Sequence, residues 1–196
     1  MLIDGYMPHY DVVERHRVVV GASREGACRG IREMDFMRAL IPAARAIDDM
    51  RDVPRAIREW VHRIEHLPPD TRFTLSDALG GKLVLLGERR GRAVAIGAVG
   101  KLWKQHVAFL TLTAPEFHAF REPKYAKLAI AFWAESVGRD KSAVRFEARA
   151  LATDDSARAH LRRWYRDIKP YTSFFMRRAL ANIKAEAEAL VATSVA

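Results

Sequence analysis

The stretch AKLAIAFWAESV-GRDK-SAVRFEARALAT, residues 126–153, decides the fold of this chain. Apolar and polar side chains alternate along both arms, Ala126–Val137 and Ser142–Thr153. Such a period of two predicts a pair of half-buried antiparallel strands. Residues 138–141 separate the arms and predict the turn of a hairpin.

The register of this hairpin follows from burial. A pairing that sets Glu135 opposite Arg145 and Phe132 opposite Ala148 matches charge with charge and apolar with apolar. A shift of one residue would mix the two faces of the sheet, which burial forbids. The predicted inner face holds Leu128, Ile130, Phe132, Val144, Phe146, Ala148 and Ala150, and the predicted outer face holds Lys127, Glu135, Arg145, Glu147 and Arg149.

A long helix is predicted from the cluster Asp154-Asp155-Ser156 to the C-terminus. Its apolar stripe is Leu161, Tyr165, Ile168, Phe175, Ala179 and Ile183. Pro170 lacks a backbone donor, so a kink or break is expected near residues 168–171. A hairpin that runs directly into such a helix indicates a sheet wrapped around it, an arrangement that forms a cavity.

The upstream sequence predicts a strand over 10–21 and helices over 24–36 and 37–50, with Ser23 as the first N-cap. A third helix ends at Pro68-Pro69. Short strands are predicted over 73–79, 82–89, 93–104 and 106–113, followed by a connection over 114–125. The prediction is therefore an α+β helix-grip fold with additional helices after the first strand, in one domain spanning residues 1–196.

Composition excludes several functional classes. The chain has 196 residues and a net charge of +9, from 33 basic and 24 acidic side chains. Because both signs are interspersed along the chain, we expect a charged surface and no nucleic-acid partner. We expect no membrane span, since no apolar run reaches roughly 18 residues, and the N-terminus does not resemble a secretory signal, which predicts a cytoplasmic protein. With Cys28 as its only cysteine, the chain cannot form an intramolecular disulfide.

Four stretches resemble the START-like, or Bet v 1-like, superfamily, and more narrowly the bacterial SRPBCC proteins described as polyketide cyclase/dehydrase-like. They are YDVVERHRVVVGASREG at 10–26, GAVGKLW at 97–103, FEARALATDDSAR at 146–158 and RRWYRDIKPYTSFFMRRALANIK at 162–184. The resemblance implies a curved antiparallel sheet around the C-terminal helix, with an apolar ligand between them. Residues 38–66 depart from it by being longer and more helical, and would lie over the cavity entrance.

Other patterns offer weaker chemistry. His62-Arg63-Ile64-Glu65-His66 matches the H-x-x-E-H zinc motif, but Pro68 ends the helix and the sequence places no third ligand. We therefore expect no metal and no cofactor. Glu147 and Arg149 point outward by parity, which favours cross-strand surface pairs over acid–base catalysis. For His16, His106 and His118, nothing in the sequence brings a carboxylate close, so we expect surface or packing roles.

Aromatic side chains are the candidate ligand contacts. The predicted ligand-binding residues are Trp103, Phe109, Phe132, Phe146, Trp164, Tyr165 and Phe175, with Phe174 beside them. The first functional hypothesis is binding of a small apolar or aromatic molecule. The alternatives are a polyketide cyclase or dehydratase, which needs an ionisable side chain facing the cavity, and a structural protein whose own side chains fill the core. No catalytic residue can be assigned, and the sequence leaves the ligand and the oligomeric state open.

Overall fold

The computed structural model describes residues 1–49, 53–68, 71–104 and 106–195. Its five strands form one antiparallel sheet in the spatial order β1-β5-β4-β3-β2. The strands are β1 (Val12–Val20), β2 (Val84–Arg89), β3 (Ala93–Gly100), β4 (Ala126–Gly138) and β5 (Lys141–Ala152). The predicted α+β class and the hairpin of β4 with β5 are confirmed.

Six α-helices accompany this sheet in the described part of the chain. They are α1 (Arg24–Glu33), α2 (Met37–Asp48), α3 (Arg55–Glu65), α4 (Leu75–Gly80), α5 (Ala114–Ala119) and α6 (Asp155–Val195), and a short 3-10 helix (Ile3–Gly5) precedes β1. The long α6 packs on β1 and β5 and against α1 and α2. This arrangement of an antiparallel sheet and a long C-terminal helix agrees with the predicted helix grip. Met50, the expected last residue of the second helix, lies outside the described residues.

Two predicted caps are in place. The Gly26 amide donates to Ser23 Oγ at 3.2 Å at the start of α1, and the Ala157 amide donates to Asp154 Oδ1 at 2.8 Å at the start of α6. Of the kink or break expected near Pro170, the break does not occur, because α6 continues through the proline as one helix.

The hairpin register differs from the prediction by two residues. Phe132 pairs with Phe146 and Glu135 with Ala143, because the register shifts between Ser136 and Gly138. The extra residue in β4 is a β-bulge, and it keeps inward side chains opposite inward ones. Because the error is an even number of residues, the predicted faces are retained. Arg145 still donates to Glu135 at 2.8 Å, along a diagonal of the sheet.

Two predicted strands are not strands. Residues 73–79 contain α4 because Thr74 and Asp77 cap each other, with the Thr74 amide donating to Asp77 at 2.7 Å. Residues 106–113 form no strand in the described part of the chain, although the Leu110 amide donates to the Val99 backbone oxygen at the end of β3, at 2.9 Å. The connection over 114–125 contains α5, which a capping box of Thr113 and Glu116 begins.

The sheet is packed on both faces. The inner face, which includes Phe132, Val144 and Phe146, contacts α1 and α6. The outer face is covered by the N-terminal segment and α5, through Ile3, Met7 and Phe117 among others. Gly97 permits this second layer, because a Cβ there would lie 2.9 Å from Cε2 of Phe117.

Candidate functional site

A cavity of about 210 Å³ lies between the inner face of the sheet and α6. It separates two packed clusters, one around α1 and the C-terminal half of α6, and one around Leu102 and Leu161. The lining residues are Val12, Val13, Glu14, Leu102, Leu128, Ile130, Phe146, Ala148, Arg149, Ala150, Trp164, Tyr165, Ile168, Thr172, Phe175 and Met176.

The cavity exists because β5 presents short side chains where α6 crosses it. Ala148 and Ala150 are consecutive inward residues of β5, and both line the void. An apolar cavity of about 150 Å³ is enough to hold a benzene molecule. The void therefore has room for a ligand of about one substituted ring.

The structure places four of the seven predicted ligand contacts on the cavity wall and three elsewhere. Phe146, Trp164, Tyr165 and Phe175 line the cavity. Of the rest, Phe132 packs in the core with its ring centroid 5.1 Å from that of Phe146, Trp103 stacks on His160 at 5.5 Å, and Phe109 packs over Gly100. Phe174, named beside them, lies in the cluster of α2 and α3.

The described residues of the helical segment 38–66, which are 38–49 and 53–66, lie away from the cavity. Its α2 and α3 pack on Tyr171 and Phe174, on another side of α6. None of the residues that line the cavity belongs to this segment. The expectation that residues 38–66 lie over the cavity entrance is therefore not supported by the lining.

One carboxylate reaches the cavity from β1. Glu14 is only 8% exposed, and its carboxylate accepts hydrogen bonds from both the strand and the helix. His16 Nε2 lies 2.7 Å from Glu14 Oε1, Ser173 Oγ donates to the same oxygen at 2.7 Å, and Thr172 Oγ1 donates to Oε2 at 2.9 Å. These bonds tie β1 to α6 at one side of the void.

A phenol lies beside this carboxylate. Tyr165 donates its hydroxyl to the backbone oxygen of Val13 at 3.0 Å. Burial and the nearby charge of Glu14 raise the pKa of Tyr165 to about 12. Tyr165 is therefore neutral at physiological pH, and its oxygen retains lone pairs that can accept a further hydrogen bond.

The expectation that His16 has no carboxylate partner is wrong. Inward positions alternate along β1, so Glu14 and His16 share the face that also carries Val12, Val18 and Val20. The signal was present in the sequence as two polar residues that interrupt an otherwise apolar face. Thr172 and Ser173 carried no such signal, because their partner lies more than 150 residues away in the chain.

Glu147 and Arg149 form a buried network, so the prediction of cross-strand surface pairs is wrong. The exposed fractions are 1% for Glu147 and 3% for Arg149, because the N-terminal segment covers this part of the outer face. Arg149 donates to Glu147 at 2.6 Å, to the Met7 backbone oxygen at 2.7 Å and to Asp4 at 2.7 Å. Arg15 adds two bonds to Glu147, at 3.0 and 3.2 Å.

In this network the negative charges of Glu147 and Asp4 are paired with the positive charges of Arg15 and Arg149. Burial alone would raise the pKa of Glu147, but the hydrogen bonds from Arg15 and Arg149 outweigh burial and hold the pKa below its ordinary value. Both of its oxygens accept from guanidinium groups. The pair stabilises the fold and holds the N-terminal segment on the outer face, with no side chain left over for chemistry.

Lys127 is a second buried charge on the outer face. Its Nζ donates to the His118 backbone oxygen at 3.1 Å and lies 4.8 Å from the centroid of the Phe117 ring. Burial, together with the nearby Arg121, lowers the pKa of Lys127 to about 8. Among the described residues Lys127 has no carboxylate in ion-pair distance, and it lines no cavity described here.

The H-x-x-E-H motif does not form a metal site in the described part of the chain. His62 and His66 are exposed, with ring centroids 4.0 Å apart, and His66 Nδ1 lies 2.7 Å from the His62 backbone oxygen. The side chain of Glu65 lies outside the described residues. No group of three or more His, Cys, Asp or Glu side chains among those described has a geometry that fits a metal ion.

Comparisons with known proteins add little to this geometry. No protein-family model and no curated protein matches the chain. A crystal structure of a hypothetical protein from Helicobacter pylori is similar at 10% identity and a TM-score of 0.42, with 94% of this chain and 93% of that chain covered. Within the described residues, none of the helices has the length and apolar character needed to cross a membrane.

Proposed function

We propose that this chain is a START-like helix-grip protein that binds a small apolar or aromatic molecule in the cavity between the sheet and α6. The observation that carries the proposal is the void of about 210 Å³ with a lining that is mostly aliphatic and aromatic. Burying the apolar surface of a ligand there is favourable, since each square ångström removed from water contributes roughly 25 cal/mol.

The fold supports the START-like assignment at a coarse level. An antiparallel sheet packed on a long C-terminal helix is the architecture that the sequence resemblance implied, and it comes with the expected void. The expectation of a cytoplasmic protein rests on the sequence alone.

The void also argues against a structural protein with a self-filled core. Native cores are packed to a density at which voids larger than a water molecule are few. This cavity is partly open and is larger than one that holds benzene, so the surrounding side chains do not fill it. The short side chains of Ala148 and Ala150 at its wall leave space for a ligand.

A second candidate is an enzyme that moves a proton on a ligand of this size. Glu14 faces the cavity with His16 and Tyr165 beside it, which supplies the ionisable group that a cyclase or dehydratase needs. Incubation with small aromatic hydroxyketones and mass spectrometry for loss of water would test it. Turnover in the parent that is abolished in Glu14→Gln would favour the enzyme over the binding protein.

Two measurements test binding directly. Native mass spectrometry of the purified protein would reveal a co-purified molecule. Calorimetric titration with p-xylene, which matches the cavity in size, should give a Kd of about 0.1 mM, equivalent to about 5.5 kcal/mol. Ala148→Leu should fill the void and weaken binding at least tenfold, whereas Ala185→Leu on the exposed side of α6 should leave the Kd unchanged. Equal binding by parent and Ala148→Leu would place the probe elsewhere.

A further inference from the structure

We infer that the cavity selects apolar molecules that carry one hydrogen-bond donor, a hydroxyl or an amine, and that Glu14 accepts that donor. This inference rests on the proposed binding function and names the ligand class of the same site. Its basis is a count of acceptors and donors along the cavity wall.

The acceptor side of the count leaves a position free on Glu14. A carboxylate has about four lone-pair positions for hydrogen bonds. At most three are used, by His16, Ser173 and Thr172, whose single hydroxyl proton also lies within reach of the Lys169 backbone oxygen. Glu14 is more than nine-tenths buried and is one of the residues that line the void, so its fourth position is the one left for a ligand there.

The donor side of the count leaves little for a ligand to accept. Of the lining residues that carry side-chain N–H or O–H donors, Tyr165, Thr172 and Arg149 direct them to protein atoms, and Trp164 lies on the side of the void opposite Glu14. Tyr165 donates to the Val13 backbone oxygen, Thr172 to Glu14, and Arg149 to Glu147, Met7 and Asp4 on the outer face. A ligand carboxylate would therefore meet the Glu14 charge in a site with a mostly apolar lining, where repulsion between like charges is stronger than in water.

The positions along α6 give the ligand an orientation. Thr172, which marks the Glu14 side of the void, follows Trp164 by about two helical turns. Leu102, Leu128 and Trp164 form the opposite, apolar side. A bound molecule would place its donor at Glu14 and its ring or chain toward Trp164.

Three probes of nearly equal shape separate these effects: p-xylene, p-cresol and 4-methylbenzoate. They are titrated into the parent protein, Glu14→Gln, and Glu135→Gln as a matched control on the exposed outer face. A hydrogen bond to a charged acceptor predicts that the ratio of Kd for p-xylene to Kd for p-cresol falls about tenfold in Glu14→Gln. The same ratio should be unchanged in Glu135→Gln.

The outcomes distinguish this inference from the proposed function. If neither p-xylene nor p-cresol binds the parent, the binding function itself fails. If p-xylene binds and Glu14→Gln leaves the ratio at the parental value, binding stands and the selection by Glu14 is overturned.

A readout on the parent alone covers the case in which Glu14→Gln does not fold. The parent should bind 4-methylbenzoate at least about tenfold more weakly than p-cresol, because the benzoate brings a second negative charge beside Glu14. Equal or tighter binding of 4-methylbenzoate overturns the inference without any variant.

Discussion

Two glutamates, one on each face of the same sheet, show how differently a buried carboxylate can be used. Glu147 on the outer face is 1% exposed and is bonded on both oxygens by arginine side chains, under the N-terminal segment. Glu14 on the inner face is 8% exposed, is bonded by an imidazole and two hydroxyls, and lines a void. Both residues are glutamates, and only their surroundings in the fold distinguish them.

The carboxylates of Glu147 and Glu14 differ in the charge of their hydrogen-bond partners and in the space beside them. Removing one partner from a paired buried charge leaves an uncompensated charge, which costs about 3–5 kcal/mol. Glu147 is therefore expected to act mainly on stability. Glu14 has neutral hydroxyl partners and borders empty space, so it is expected to act mainly on what the cavity binds.

The largest expected effect is on the outer face. Glu147→Gln should lower the free energy of unfolding by about 3 kcal/mol, because the buried Arg149 loses its buried counter-ion and keeps only the partly exposed Asp4. Urea denaturation followed by circular dichroism measures the change. Glu135→Gln, which removes an exposed pair with Arg145, should change the free energy by less than about 1 kcal/mol. Similar losses of stability in the two variants would contradict the distinction between the buried network around Glu147 and the surface pair of Glu135 with Arg145.

The pH dependence of stability sharpens the same comparison. The pKa of Glu147 is below its ordinary value of 4.5 in the folded protein, so folding releases protons from this group as the pH falls toward that range. Its contribution is present above about pH 4.5 and is lost as the pH falls through the lowered folded value. Denaturation between pH 3 and pH 7 should show a shallower acid loss in Glu147→Gln than in the parent. Parallel curves would exclude Glu147 as a source of the acid sensitivity.

On the inner face, Phe146→Trp should narrow the cavity. Adding volume beside a void is expected to cost roughly 1–3 kcal/mol of stability and to weaken p-xylene binding severalfold. Arg145→Ala, the next residue in β5 but on the outer face, should leave the Kd for p-xylene unchanged. A folded Phe146→Trp that binds p-xylene as the parent does would remove these inward side chains from the site.

The smallest expected effect concerns Lys127, whose pKa is lowered to about 8 by burial and the nearby Arg121. The folded protein disfavours the charged amine, so Lys127 lowers stability below about pH 8, and this penalty disappears as the pH rises toward the ordinary value of 10.5. Lys127→Met should therefore stabilise the protein at pH 7 by about 1 kcal/mol, and less at pH 9. Urea denaturation at the two pH values measures the change in the free energy of unfolding. A loss of stability at pH 7 would show that the hydrogen bond to His118 contributes more than the burial of the charge costs.

Local pattern predicted the inner layer well and the outer layer poorly. Alternation over residues 126–153 was sufficient for the hairpin and its faces, since a period of two survives an even error in register. Alternation did not predict the bulge near Ser136. The bulge adds one residue to β4 between the turn and the paired strands, so that inward side chains still pair with inward ones. Alternation also predicted a strand over 73–79, where a cap between Thr74 and Asp77 begins a helix instead.

The site shows the same division. Phe146 and Tyr165 were found from parity and helical spacing, and both line the cavity. Burial of Glu147 and Arg149 was missed because the covering residues 1–10 come from the far end of the chain. The bonds from Thr172 and Ser173 to Glu14 were missed for the same reason, since sequence periodicity carries no information on contacts between distant segments.

The most direct test is to locate a bound probe. Nuclear Overhauser effects between p-xylene and the protein methyl groups report which face of the sheet it contacts. We expect effects to Ile130 on the sheet and to Ile168 and Met176 on α6, and none to Ile3 or Met7 on the outer face. Saturable contacts to the outer face, or no contacts at millimolar p-xylene, would contradict a ligand site between the sheet and α6.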